Sequence, residues 1–388
     1  MSFVRIFRPQ YYKKFACTMS ECKNNCCQNW QIDIEPETLE KYKALDDELK
    51  NEIFEHLKHV GEAKDRAVIK LNPEGFCSFV SDKGLCTLQL RYGYDFLSRV
   101  CRIYPRFACD VGGSPEYYVE LSCEAAANVI LFDKTHMFFE EVDVEEDLYN
   151  VTGLHYSYAL DTTKYTSAAN GFDIFWSLRV ASVSILQTRK YPIRFRMLLL
   201  CMFIQEVANL FTNGQDSSVI AFTDEYLNKI GQNFYDNLSA TINNDSERDF
   251  DITLDVLKEV YEKQIMFRSA MDNVKKGFDL DPQSWKVPDG FIEKYIKYYE
   301  GFLAKNEYIM ENYLVHRVLS EGFPFSYRNK FDILSNYVEL FAKYNLVEFL
   351  ITGICRHYMK FDKRHICDCV SLFSRGYEHS QRKFFQQQ

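Results

Sequence analysis

Apolar positions follow two regimes along this chain. From about residue 133 onward they return every three or four residues, over 172–187, 192–211, 220–235, 254–271, 291–320, 331–360 and 365–379. That period marks helices with one buried face, and a succession of them predicts a bundle-like helical domain. Gly277 to Gly290, with Pro282 and Pro288 inside it, is the clearest loop. The first third reads differently. Glu37 to Lys58, entered through Pro36, has the pattern of a charged amphipathic helix. Arg66 to Leu71 reads as a short strand closed by Asn72-Pro73-Glu74-Gly75, and Leu88 to Tyr92 as a helical turn. Arg106–Val111 and Glu116–Leu121 flank Gly112-Gly113-Ser114-Pro115, which predicts a β-hairpin. An Ala-rich helix is expected from Cys123 to Phe132, and the acidic stretch Glu140–Asp147 reads as a solvated connector or helix face. The expected fold is mainly α. A cysteine-rich domain with a small hairpin (residues 1–132) precedes an α-helical, bundle-like domain (residues 133–388).

Composition narrows the partners. A hydrophobic fraction of 47% is ample for a packed core in 388 residues. The net charge of −9 argues against nucleic acid and against anionic membrane surfaces. It suits a basic substrate such as a lysine-bearing protein. The opening Met1-Ser2-Phe3-Val4-Arg5 holds no apolar run of the kind a signal peptide needs. The longest strongly apolar run, Met197 to Ile204, falls short of the roughly 20 residues that span a bilayer. The expectation is a cytoplasmic protein with no membrane and no nucleic-acid partner, in a compartment that keeps thiols reduced.

In that setting the cysteines change the picture. Cys17, Cys22, Cys26, Cys27, Cys77, Cys86, Cys101 and Cys123 all fall in the first third. The first four form C-x4-C-x3-C-C, and Cys77 and Cys86 each follow a glycine by two positions. Thiols gathered this way are metal or cluster ligands more often than core residues. Four thiolates suit one zinc ion or one 4Fe-4S cubane. The pattern has no pair of C-x2-C knuckles, which moves the expectation towards iron–sulfur and leaves zinc as the alternative. It is not C-x3-C-x2-C either, because the third position after Cys22 and Cys26 is Asn29. On a helical turn Cys22 and Cys26 would share a face, and with Cys77 and Cys101 they form the first set to test. Cys109, Cys201 and Cys355 read as packing residues, and Cys367 and Cys369, near His365, as members of an ordinary helix.

Several of these stretches carry a family likeness. Tyr11-Tyr12-Lys13-Lys14-Phe15-Ala16-Cys17, then Cys22, then Cys26-Cys27-Gln28-Asn29-Trp30-Gln31-Ile32-Asp33-Ile34 resembles the opening of flagellin lysine-N-methylases. So do Gly75-Phe76-Cys77-Ser78-Phe79, Gly84-Leu85-Cys86, Cys101-Arg102-Ile103-Tyr104-Pro105-Arg106 and Ser122-Cys123-Glu124-Ala125-Ala126. The last lacks the proline that the family usually places after the cysteine. The cysteine-rich part also looks like a wider group of zinc- or iron-chelating domains. The helical part matches more loosely, through Glu311-Asn312-Tyr313-Leu314 and Phe323-Pro324-Phe325.

The resemblance implies a protein-lysine N-methyltransferase that moves methyl groups from S-adenosylmethionine to flagellin with the help of an iron–sulfur cluster. No G-x-G-x-x-G follows a strand, so a Rossmann-type donor site is not visible. Aromatic faces that would cradle the two cations are Trp30, Tyr92, Tyr94 and Tyr104. Arg102 and Arg106 would hold the donor's carboxylate, or offset the charge of a thiolate-held cluster beside Cys101. Trp30, Arg102, Tyr104 and Arg106 are the candidate catalytic residues. The alternatives are a non-catalytic zinc- or cluster-bearing interaction module and a redox protein.

Overall fold

The computed structural model describes residues 3–23, 26–28, 32–59, 66–145, 156–166, 170–241, 250–327 and 332–378. In chain order its first part holds strand β1 (Phe3–Pro9), β2 (Asp33–Ile34), helices α1 (Pro36–Lys43) and α2 (Asp47–Glu55), β3 (Leu57–His59) and β4 (Ala67–Ile69). Next come α3 (Thr87–Tyr92), α4 (Arg99–Ile103), β5 (Arg106–Val111), β6 (Ser114–Val119), α5 (Glu124–Leu131), β7 (Phe139–Glu145) and β8 (Tyr156–Leu160). The remainder is helical: α6 (Gly171–Leu186), α7 (Ile193–Thr212), α8 (Val219–Gly231), α9 (Asp236–Thr241) and α10 (Asp251–Lys263). It continues with α11 (Ile265–Phe278), α12 (Phe291–Tyr298), α13 (Tyr308–Ser320), α14 (Ile333–Tyr358) and α15 (Lys363–Phe373). The mainly α fold with a small N-terminal β region is therefore present.

The hairpin forms where expected, with Arg106 opposite Val119 and Val111 opposite Ser114. Its turn needs positive φ at both central residues, and Gly112 (φ 55°) and Gly113 (φ 88°) supply it without steric cost. The sheet is larger than the hairpin, in the order β7-β1-β6-β5-β8. Its strand β7 is the stretch that the charge pattern marked as a connector or helix face. Period-two alternation decides otherwise. Val142 and Val144 pack on the cluster around Ile6, while acids of the same strand pair with basic residues of β1. Arg8 Nε lies 2.8 Å from Glu140 and Arg5 Nε 3.1 Å from Asp143. A second sheet, β2-β4-β3, sits over its own small core of Ile32, Ile34, Leu39, Tyr42, Ile53 and Leu57.

Three segments that read as single helices are broken. Asp46 interrupts 37–58 by capping α2, its carboxylate accepting from the Leu49 N–H at 3.1 Å. Gln264 is extended (φ −123°, ψ 96°) between α10 and α11. A π-helical turn, Tyr299–Leu303, and a 3-10 turn, Ala304–Asn306, separate α12 from α13. Helix α7 is long and apolar enough by length and composition to cross a membrane. In this fold its Arg196 is buried, with Nη1 2.8 Å from the equally buried Glu311 of α13.

Two contacts lock the helices in place. Helices α11 and α14 approach so closely that a Cβ on Gly277 would lie 2.2 Å from the Gly353 carbonyl oxygen. Arg179 of α6 reaches the sheet, gripping both carboxylate oxygens of Glu116 at 2.7 and 2.8 Å, and also donates to the Leu319 carbonyl of α13. Glu116→Gln would leave a buried guanidinium without its counter-charge, and a loss of about 3–5 kcal/mol is expected. Gly277→Ala should cost about 1–3 kcal/mol through overpacking. Urea unfolding measures both, and losses below about 1 kcal/mol in each variant would remove these contacts as the locks of the fold.

Candidate functional site

Short turns bring distant cysteines to one place. Gly75 and Gly84 both sit at positive φ (84° and 72°), where glycine bears no penalty, and each closes a turn two residues before a cysteine. The chain after Gly75 pairs with the first cysteine segment. Gln28 bridges Phe76, and the Cys77 N–H donates to the Cys27 carbonyl at 2.8 Å. Val80 bridges Cys86, which caps the N-terminus of α3. Cys101 lies in α4, where the Ser98 hydroxyl accepts from its N–H. Cys27, Cys77, Cys86 and Cys101 all belong to the small core under β2-β4-β3.

Electrostatics ties Cys26 to that group. Burial pushes Cys77 up to about 11 and Cys101 up to about 12, and raises Cys86 as well. Cys101 feels the charge of Cys77 and Cys86, Cys77 that of Cys86, and all three feel Cys26. Cys26 moves the other way, to about 7, because it accepts a hydrogen bond from the Cys27 thiol and because Arg375 lies near. Cys27 is raised correspondingly, first by that hydrogen bond and then by burial. Cys26, Cys27, Cys77, Cys86 and Cys101 thus share one neighbourhood.

The other three predicted ligands border it. Cys123 caps α5 and is pushed up to about 11 by burial, with Cys26 and Cys17 contributing. Cys17 is exposed and accepts from the Met19 N–H at 3.4 Å. Cys22 follows a 3-10 turn in extended conformation, so the helical face it was expected to share with Cys26 does not form. Its sulfur lies 4.0 Å from Glu124, which also accepts from the Lys23 N–H.

The candidate catalytic residues scatter. Tyr104 stays with the thiols: it is half-buried, its hydroxyl is 3.0 Å from Ser122 Oγ, and desolvation raises its pKa despite the opposing charge of Arg375. Arg102 turns to Glu35 at 3.6 Å, and Arg106 stacks 4.9 Å over the Phe15 ring. Trp30 lies outside the described residues. Tyr92 packs on Phe96 in the small core, and the exposed Tyr94 donates to the Arg102 carbonyl. The cation that does stand beside the thiols is Arg375, just beyond α15, whose Nη2 donates to the Ser122 carbonyl at 3.1 Å. No local motif marks it. Cys367 of α15 also faces this border, within the influence of Glu124 and Cys123.

A thiolate-held centre can be tested against this donor set. All thirteen cysteines are free thiols. A zinc ion needs sulfurs about 4 Å apart around one point. Among the described residues no three His, Cys, Asp or Glu side chains gather to hold a metal ion. An iron–sulfur core carries its thiolates on separate irons and therefore spaces them more widely. Soft sulfur donors on rigid turns in one small core fit such a centre by their chemistry.

The helical part has a recognisable sequence of its own. Residues 179–386, more than half of the chain, match the family described as the FliB lysine N-methylase C-terminal domain. The chain belongs to the FliB lysine N-methylase family. Arg375 and Cys367 lie inside the matched FliB region, whereas the motifs that first carried the resemblance all lie before residue 127. A lysine-N-methylase of Salmonella typhimurium is 25% identical over 162 residues, covering 40% of this chain and 39% of the relative. A flagellar biosynthetic protein, FliU, of Salmonella muenchen is 26% identical over 149 residues, 36% of this chain and 85% of the relative. The chain thus spans about two fifths of the lysine-N-methylase it matches. No solved structure matches.

If the shared neighbourhood holds the metal, Cys77→Ala and Cys101→Ala should each remove most bound iron or zinc from anaerobically purified protein. Cys355→Ala, a core thiol of α14, should leave it unchanged. Equal metal content in all three variants would break the assignment.

Proposed function

We propose that this chain is a protein-lysine N-methyltransferase, cytoplasmic, that moves methyl groups from S-adenosylmethionine to lysines of flagellin. We further propose that its cysteine-rich part holds an iron–sulfur centre. The observation that carries the reading is the match to a lysine N-methylase C-terminal domain over residues 179–386. The last described turn of that region also delivers Arg375 to the cysteine-rich part. The flagellin substrate is supported by the flagellar name of the Salmonella muenchen relative and by the N-terminal motifs. Free thiols throughout suit a reducing compartment.

The reaction sets the demands on the site. A free lysine has a pKa near 10.4, so roughly one in 2,500 is neutral at pH 7. The neutral amine attacks the methyl carbon as the carbon–sulfur bond breaks. The sulfonium leaves as a neutral thioether, and the new ammonium gives up a proton. Burial of the amine favours its neutral form, and alignment of nucleophile, carbon and sulfur supplies much of the acceleration.

This chain's residues bear on the neighbourhood of that chemistry. Cys26, Cys27, Cys77, Cys86 and Cys101 would hold the centre, with Arg375 as the cation that offsets thiolate charge. When bound, such a centre supplies an iron site able to ligate or polarise a polar group of a substrate. Tyr104 stays a neutral phenol, because burial opposes its ionisation, and so serves as a hydrogen-bond partner rather than a base. Its hydroxyl and Arg375 meet the same residue, Ser122, through the hydroxyl and the carbonyl.

Labelled S-adenosylmethionine and flagellin test the proposal under reducing, anaerobic conditions. Label is expected on flagellin lysines, with at least a tenfold loss in Cys101→Ala. A protein that carries its full metal complement yet transfers no label would overturn the methylase reading. It would favour a redox or interaction role instead.

A further inference from the structure

A cavity of about 390 Å³ lies far in sequence from the cysteines, lined from α7, α10, α12, α14 and the turn after α15. Its size is that of a small-molecule pocket. Its walls include the rings of Phe250, Tyr295 and Phe341. Around its mouth Ile252, Val338 and Phe341 are 68%, 63% and 41% exposed, an apolar rim of the kind that marks binding sites.

Two charged groups line the same cavity. Glu348 is buried, and accepts from Arg194 Nη2 at 2.8 Å, from the Tyr295 hydroxyl at 3.0 Å and from the Tyr344 hydroxyl. Its charge and hydrogen-bonding capacity are therefore largely met within the chain. Arg194 differs. Its side chain lines the cavity 22% exposed, and its bond to Glu348 runs through Nη2. A partly exposed guanidinium can still donate to a planar acceptor such as a carboxylate, whereas a cationic head group would meet like charge.

We propose that this cavity binds a small molecule with a planar ring and an anionic head such as a carboxylate. The ring packs among Phe250, Tyr295 and Phe341, and the head accepts from Arg194. Nothing in this assignment rests on methyl transfer, since binding itself is the quantity measured.

The test uses the full chain and indole-3-acetate as probe, followed by calorimetry or saturation-transfer NMR. Tryptamine keeps the ring and reverses the head's charge, and acetate keeps the head without the ring. Indole-3-acetate is expected to bind at submillimolar concentration, and the other two at least tenfold more weakly. Ala342→Trp, placed on the cavity lining, should weaken binding at least tenfold. Arg194→Lys keeps a cation against Glu348 but removes the guanidinium's planar fork of donors, and should weaken it similarly. Absence of indole-3-acetate binding at millimolar concentration overturns the proposal. So does tryptamine binding equally well, or binding unchanged in a folded Ala342→Trp or Arg194→Lys protein.

Discussion

The buried pair of Arg179 and Glu116 is the constraint on which the arrangement turns. Both side chains are essentially without solvent contact, at 1% and 0% exposure. Removing two charges from water is expensive, and their attraction offsets the expense only when geometry and extra hydrogen bonds are good. Here they are: a two-pronged contact with the carboxylate, a bond to the Tyr118 hydroxyl and one to the Leu319 carbonyl. Phe139, Phe175 and Trp176 surround the guanidinium at 5.2–5.3 Å. Those partners come from β6, β7, α6 and α13. Any other docking of sheet on helices would strand a buried charge, so the pair selects one docking among many.

That docking has a chemical consequence. With the sheet fixed against the helices, α5 packs on α13 and α15. The turn after α15 then meets Ser122, next to Cys123 and Tyr104. Arg375 stands beside Cys26 for this reason, although 349 positions (375 − 26) separate them in the chain. The thiol site is therefore built from both ends of the sequence.

Much of this was legible beforehand, and what was not has physical causes. The glycine two residues before Cys77 and Cys86 signals a positive-φ turn, and Gly112-Gly113 signals the hairpin. Strand β7 was hidden because its acids looked solvated, while the arginines that pair with them lie about 135 residues earlier. Helix breaks at Gln264 and 299–306 carry no proline or glycine strong enough to announce them, since tertiary packing sets them. Cys22 and Cys26 have helical spacing, yet Cys22 leaves the 3-10 turn Met19–Glu21 in extended conformation rather than entering a helix. Arg375 is invisible from sequence because its partner is a backbone carbonyl, which no side-chain pattern records. Arg102 and Arg106 looked better placed through adjacency to Cys101, but Glu35 and Phe15 take them.

The thiols pose the sharper physical problem. Burial holds Cys77, Cys86, Cys101 and Cys123 in their neutral form, so metal-free protein keeps several uncharged thiols in one small core. A hydrocarbon core of the same size would pack as well without them. Their concentration becomes economical only if something positive converts them to thiolates, because a bound metal reverses the effect of burial on ionisation. Arg375 bears on that balance from one face of its turn. Two positions later Tyr377 lines the cavity beside Arg194, and residues so spaced leave a helical turn on different faces. The turn is held by the Ser122 carbonyl through Arg375, and by Phe373 stacked 5.2 Å from Tyr377. One short segment is thus shared between a site that needs positive charge and a pocket lined by a guanidinium. A ligand in the pocket can influence the thiols only to the extent that it binds differently to the two positions of that segment.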